Sequence, residues 1–461
     1  MPVDMDVAPL FILVVGILTV VGMIVVFRIN AFLALITAAI VVSVLAPGAW
    51  ADKIARVATA FGNTTASIGI VIAMAAVIGV TMMASGAADR VVQAFLRLLG
   101  QERGGAVLTA SGFVLSVPVF FDTVFYLLVP LARSTYRQTG RNYLKYLMAI
   151  SAGGAATHSL VPPTPGPLVI ADNLGIDVGM MILVGALVAL PAATAGLFFA
   201  GWLDRRMPVP MRPLADVEEE PPLEGRLPGL LASLLPIILP VILISGQTVI
   251  RPIALDAGPD SVWAQVAQWT AVFGNPNLAL LLAAAVSVFV YARIRKPTRE
   301  KLGHLIEQSL MSSGLIILIT AAGGAFGAML KEAQIGPAIQ AMFAGTSQGS
   351  GMVMLALGFG IASLLKFAQG SSTVAMITAS AMLAAMVTPG SLGFHTVYLG
   401  TAIGSGALVG SWMNDSGFWI FSKMGGLTEV ETLKSWTPLL AVLGIVGALM
   451  SFILALILPL T

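Results

Sequence analysis

The chain has 461 residues, 57% of them hydrophobic and only 10% charged, with a net charge of +2 and no cysteine. A soluble domain carries about 25% charged residues, so this composition excludes an ordinary soluble enzyme and points to an all-α polytopic membrane protein. It offers no basic, aromatic-rich patch for nucleic acid. The lack of cysteine excludes disulfides, thiolate catalysis and iron–sulfur centres.

Met1 to Ala8 carries Asp4 and Asp6 and no basic residue, so it lacks the positive start of a cleavable signal peptide. Leu10 to Phe27 is therefore expected to stay as the first span. Apolar runs of about 17 to 25 residues can cross a bilayer, whereas runs of about 10 to 14 suit re-entrant segments. Full spans are expected at 9–27, 30–46 and 66–84, followed by a polar, basic stretch from Asp89 to Arg103. Two short apolar arms, 105–118 and 123–133, meet at Val119 to Thr123 and read as a re-entrant hairpin over 105–133.

The next apolar stretch, 143–174, is interrupted by Thr157-His158-Ser159-Leu160-Val161-Pro162-Pro163-Thr164-Pro165-Gly166-Pro167. Proline removes a backbone donor and fixes φ, so an α-helix cannot run through this block. Thr164 before Pro165 reads as a helix restart. Freed peptide groups at membrane depth are tolerated only where protein or a watery cavity satisfies them. A span at 178–202 follows, and 203–227, with Glu218 to Glu220, is a solvated linker. Further spans are expected at 228–248, 276–292 and 308–330. A second hairpin over 351–388 turns at Ala368 to Ser372, a second broken helix over 395–422 breaks at Ser411 to Gly417, and the last span is 437–459.

Residues 1–202 and 228–461 thus spell the same order: three spans, a hairpin, a broken helix and a span. Each half makes five full crossings, about ten in all, so the second half enters the membrane upside down. Two inverted-topology repeats with broken helices are a pattern of secondary transporters. With both termini outside, 19 of the 24 Lys and Arg fall on cytoplasmic segments; Lys53, Arg56, Arg251, Lys331 and Lys366 are the rest. The positive-inside rule selects this orientation.

Each of the four interruptions is followed by a helix start, at Asp122, Thr164, Ser371 and Asp415. A helix N-terminus presents unpaired N–H groups and a partial positive charge, so four converging at mid-membrane would hold an anion. The expected substrate ligands are Thr123, His158, Thr164, Gly166, Lys366, Gln369, Gly370, Ser371, Ser372, Thr373, Asn414 and Ser416. Few aromatic residues stand near the interruptions, which argues against a large flat ligand. Lys366, deep in an apolar run, needs a substrate carboxylate or an acidic side chain as partner, unless it snorkels to an interface. Asp122, Asp415 and His158 are the candidate proton carriers. Asp122 also reads as a plain N-cap, and His158 as a fixed hydrogen-bonding group. No His, Asp or Glu cluster has metal-ligand spacing, and no phosphate-binding GxxxxGK[ST] loop appears, so no cofactor and no ATP drive are expected. Sodium held by backbone carbonyls leaves little sequence trace. Ser151 to Ala156 reads as close helix packing.

Val117 to Thr123, Asn142 to Tyr146, Ser151 to Gly154 running into Thr157 to Pro167, Gln369 to Ala375, and Asn414 to Trp419 resemble the gluconate permease family over nearly the whole chain. Those gluconate:proton symporters are grouped with the ion-transporter superfamily of hairpin-containing carriers, and related members carry other sugar acids and D-serine. The resemblance implies a bacterial inner-membrane importer of a small hydroxy-carboxylate with protons, a homodimer, and an elevator-like moving domain. Lysine at 366 departs from the family pattern, where arginine is more usual, and gives up bidentate carboxylate geometry. A channel would need a continuous polar path, and an intramembrane enzyme a nucleophile–base pair that His158 and Ser159, diverging on a helix, do not supply.

Overall fold

The computed structural model describes residues 8–100, 103–212, 227–335, 350–387, 390–413 and 415–460, without the side chains of 8, 21, 24, 25, 312, 350, 368 and 369. Among the described residues every regular element is a helix. The first half runs α1 (Ala8–Val21, continued by a π-helical turn, Gly22–Val26), α2 (Ala31–Leu45), α3 (Asp52–Ser85) and α4 (Ala87–Leu99). Then come α5 (Gly104–Leu115) and α6 (Phe121–Thr139), α7 (Tyr143–Leu160) and α8 (Pro165–Leu174), and α9 (Val178–Arg206). The second half runs α10 (Leu230–Ala257), α11 (Val262–Phe273), α12 (Pro276–Arg295) and α13 (Arg299–Glu332). It closes with α14 (Ser350–Gln369), α15 (Ser372–Ala384), α16 (Val397–Gly406), α17 (Ser416–Gly425) and α18 (Glu429–Ile457).

Local sequence explains the boundaries. Asn30 and Asn275 accept from the backbone N–H two residues on and cap α2 and α12, the latter with proline at its first position. Thr428 and Glu431 form a reciprocal capping box at the start of α18. Gly86, at φ 82°, lets the chain turn from α3 into α4 where an ordinary side chain would be strained.

Six helices among the described residues, α3, α9, α10, α12, α13 and α18, are long and apolar enough to cross a membrane unaided. The pair α3 and α13, 34 residues each, packs along its length; α2 lies on α13 and α3 on α12. Beside this group, α7 is held between α5 and α9, α16 between α14 and α18, α9 lies on α18, and α8 lies on α15. The glycine-rich part of α7 is a close crossing, as expected. A Cβ on Gly153 would stand 2.0 Å from the Thr109 carbonyl oxygen of α5.

Several expected boundaries move. The span placed at 66–84 belongs to a helix starting at Asp52, and the second arm of the first hairpin runs to Thr139, through Pro130. The polar stretch after α3 is the amphipathic helix α4. The helix α11 was not expected, and none of its residues is buried. Within 203–227, residues 213–226 lie outside the described residues.

Candidate substrate site

Broken peptide ladders are satisfied locally at both interruptions. After α7 ends at Leu160, the Thr164 hydroxyl donates to the carbonyls of His158 (2.9 Å) and Val161 (2.8 Å). Between α16 and α17, the Thr437 hydroxyl of α18 donates to the Ser411 carbonyl at 2.7 Å. The Trp436 indole N–H donates to the Ser411 hydroxyl at 2.6 Å. The Ser371 hydroxyl accepts from the Val374 N–H and caps α15, while the Asp415 carboxylate accepts from the Gly417 N–H and caps α17. Asp122 is not a cap. Phe120 holds that position, and Asp122 sits in the first turn of α6.

These features surround one cavity of about 470 Å³. One wall is polar: Asp122 and Thr123 from the first hairpin, His158 and Ser159 from the end of α7, Ser371, Ser372 and Thr373 from the second hairpin, and Asp415 and Ser416 from α17. Ala76, Gly79 and Val80 of α3 and Ile316 and Ile319 of α13 supply an apolar part of the wall. Phe120 tilts against the His158 ring at 6.0 Å between centroids, and the His158 Nδ1 is buried with no hydrogen-bond partner among the described residues. Among those residues no donor reaches the Asp122 carboxylate, which stays turned to the cavity without an ion-pair partner.

Asp415, in the polar wall, is one member of a buried ion pair. The Lys366 ammonium, 1% exposed, donates to Asp415 Oδ2 at 2.6 Å and to the Gly370 carbonyl at 2.5 Å. Asp415 also accepts from the Ser411 hydroxyl through Oδ2 and from the Gly417 N–H at 3.0 Å through Oδ1. A carboxylate with this many donors is held in one orientation, so the start of α17 is fixed to the tip of the second hairpin.

A family model described as the GntP family permease matches residues 8–457. The chain belongs to the GntP permease family. The gluconate permease of Pseudomonas aeruginosa is 32% identical over 456 residues, covering 97% of this chain and 98% of its own length. The low-affinity gluconate transporter of Escherichia coli is 30% identical over 430 residues, with 92% and 93% covered. The L-idonate transporter of the Escherichia coli Gnt-II system is 28% identical over 450 residues, covering 96% and 98%. Among solved structures, the Alcanivorax borkumensis YdaH transporter matches with a TM-score of 0.64 at 15% identity, covering 93% of this chain and 98% of that one. That likeness establishes a shared fold. The chain is therefore a multi-pass membrane permease and not an enzyme.

In this GntP permease the expected site residues divide. Asp122, Thr123, His158, Ser371, Ser372, Thr373, Asp415 and Ser416 line one cavity. Thr164 and Gly166 do not: the Thr164 hydroxyl is committed to its own interruption, and Gly166 packs on Met376, where a Cβ would meet the Met376 methyl at 2.1 Å. Of the four expected helix starts, those of α6, α15 and α17 reach this cavity, while α8 lies on α15. Lys366 does not snorkel, and the partner it takes is the side chain of Asp415 rather than a position on the cavity wall. The Gly370 carbonyl is taken up by Lys366. Asn414 and the Gln369 side chain lie outside the described residues. The site also holds more aromatic surface than expected, since Phe120, Phe121 and Trp436 line it. Trp436 packs at a tilt against Phe121 and Phe421, with ring centroids 5.4 Å apart in each pair. Its sequence position, just before the expected last span, gave no hint of this.

Proposed function

We propose that this permease imports gluconate or a related small hydroxy-carboxylate together with protons, across the bacterial inner membrane, by an elevator-type movement. The observation that carries this reading is the single cavity shared by the starts of α6, α15 and α17, elements that come from both halves of the chain. Backbone N–H groups and hydroxyls at those starts suit a carboxylate with neighbouring hydroxyls. The substrate class is supported by the names of the relatives, gluconate and L-idonate carriers, which cover this chain almost end to end.

Asp122 is the proposed proton carrier, because it faces the cavity unpaired, while the Asp415 carboxylate is tied to Lys366. His158 takes the role of a neutral substrate contact beside Phe120. Two inverted repeats are supported by the exchanged packing: α2 lies on α13 as α3 lies on α12, and the α5–α7–α9 order is echoed by α14–α16–α18. In the proposed movement both hairpins and both broken helices travel together past the apolar wall of α3 and α13, which offers nothing for a polar substrate to hold. Both termini lie on the periplasmic side, and two copies form a homodimer through spans that do not travel.

The test is uptake by vesicles reconstituted with the purified permease, with gluconate, other sugar acids and D-serine offered under imposed pH or sodium gradients. Uphill gluconate uptake driven by the pH gradient alone is expected, and Asp122→Asn should abolish it while leaving counterflow exchange intact. Accumulation driven only by sodium, or unaltered uphill uptake by Asp122→Asn, would overturn the assignment of the coupling ion or of its carrier.

A further inference from the structure

A second cavity, of about 510 Å³, lies far from the substrate site, between α4 and the first turns of α10. Six of the eight residues around it are apolar: Val91, Ala94, Phe95 and Leu98 of α4, and Leu230 and Leu234 of α10. The other two are Arg90 and Arg97. They stand seven positions apart on one helix face, about 10.5 Å along the axis. Neither forms an ion pair among the described residues, and the neighbouring carboxylate, Asp89, is directed electrostatically to Arg295 of α12 instead.

The setting fixes the depth of this groove. α10 is apolar and long enough to cross the membrane, so Leu230, Leu231 and Leu234 mark where its hydrocarbon stretch begins. α4 packs there, on the end of the molecule that also carries Arg293, Arg295 and Lys296 at the close of α12. Leu231 is 77% exposed and Leu98 78% exposed, so apolar surface continues outward from the groove toward lipid. An amphipathic helix with leucines below and arginines above is the arrangement of a segment lying at the headgroup level.

We propose that this groove binds an anionic glycerophospholipid, with its phosphate held by Arg90 and Arg97 and one acyl chain laid along Val91, Ala94, Phe95, Leu230 and Leu234. Charge complementarity selects the headgroup: two guanidinium groups without an ion pair among the described residues favour a net-anionic lipid over a zwitterionic one, whose phosphate is already balanced by its own ammonium. The six apolar residues select a lipid over a free anion, since a hydrated phosphate leaves them uncovered. Because α4 packs on both α3 and α5, the bound lipid would sit at the joint between the long-helix group and the first hairpin.

The test uses the full-length permease, delipidated in detergent, with thermal unfolding followed as phosphatidylglycerol, phosphatidylethanolamine or inorganic phosphate is added. Phosphatidylglycerol should raise the unfolding midpoint, while the other two leave it unchanged. The Arg90→Gln/Arg97→Gln variant should lose the shift. Ala94→Phe, which fills the groove and keeps both charges, should lose it as well, and it decides the matter alone if the double variant does not fold. An equal shift with phosphatidylethanolamine, a shift with phosphate alone, or a full phosphatidylglycerol shift in Ala94→Phe would overturn the proposal.

Discussion

Removing one member of the Lys366–Asp415 pair should destabilise the permease far more than removing both. The ammonium is 1% exposed and the carboxylate side chain 11%, at a separation of 2.6 Å. In Lys366→Met the Asp415 carboxylate keeps the Ser411 hydroxyl and the Gly417 N–H but loses its countercharge. In Asp415→Asn the ammonium keeps its hydrogen bond to the Gly370 carbonyl but loses the countercharge in contact with it. Breaking a buried pair in this way costs about 3–5 kcal/mol, whereas replacing both partners with neutral groups is often close to neutral. The double variant Lys366→Met/Asp415→Asn should therefore lose much less than the sum of the singles, with a coupling of at least about 2 kcal/mol. The assay is denaturant unfolding of all four proteins in mixed micelles, followed by tryptophan fluorescence. Single variants as stable as the parent, or a double variant whose loss equals the sum, would refute the reasoning.

Ser371→Ala should cost about 1 kcal/mol through loss of the α15 cap and should weaken substrate binding. Ser372→Ala keeps the cap, so isothermal titration of the two variants separates positioning of the helix start from direct contact. Gly153→Ala should cost about 1–3 kcal/mol, because the new methyl meets the Thr109 carbonyl. Gly360→Ala, which opens onto empty space, is the control in the same melting experiment. In this cysteine-free chain, Glu220→Cys should react with a membrane-impermeant maleimide only when the cytoplasmic face is exposed; labelling from the outside would overturn the proposed orientation.

The interruptions were readable because their causes are local. Proline at 162, 163, 165 and 167 stops α7 whatever surrounds it, and Ser371 and Asp415 cap the helices that follow them. Longer-range choices left no such trace. Nothing near Lys366 in sequence identifies Asp415, 49 positions on, as its partner. The restart at Pro165 has the same chemistry as the other starts, yet packing of Gly166 on Met376 turns it away from the cavity. Trp436, one position before the expected last span, carries no signal of a site until the fold brings it to Ser411 and Phe121. The helix α11 escaped notice because its 12 residues, apolar though most of them are, fall short of the length that marks a full span.

The pairing of Lys366 with Asp415 bears on how the membrane voltage acts on this carrier. Each elementary charge moved through the full potential is worth about 2.3 kcal/mol per 100 mV. Lys366 and Asp415 cancel, so their displacement is electrically silent. In the proposed cycle an empty carrier then bears the single negative charge of ionised Asp122, and a carrier holding a monovalent acid beside protonated Asp122 bears the same. The field would hinder the loaded stroke and assist the empty return by equal amounts, so a one-proton cycle would pass no net current.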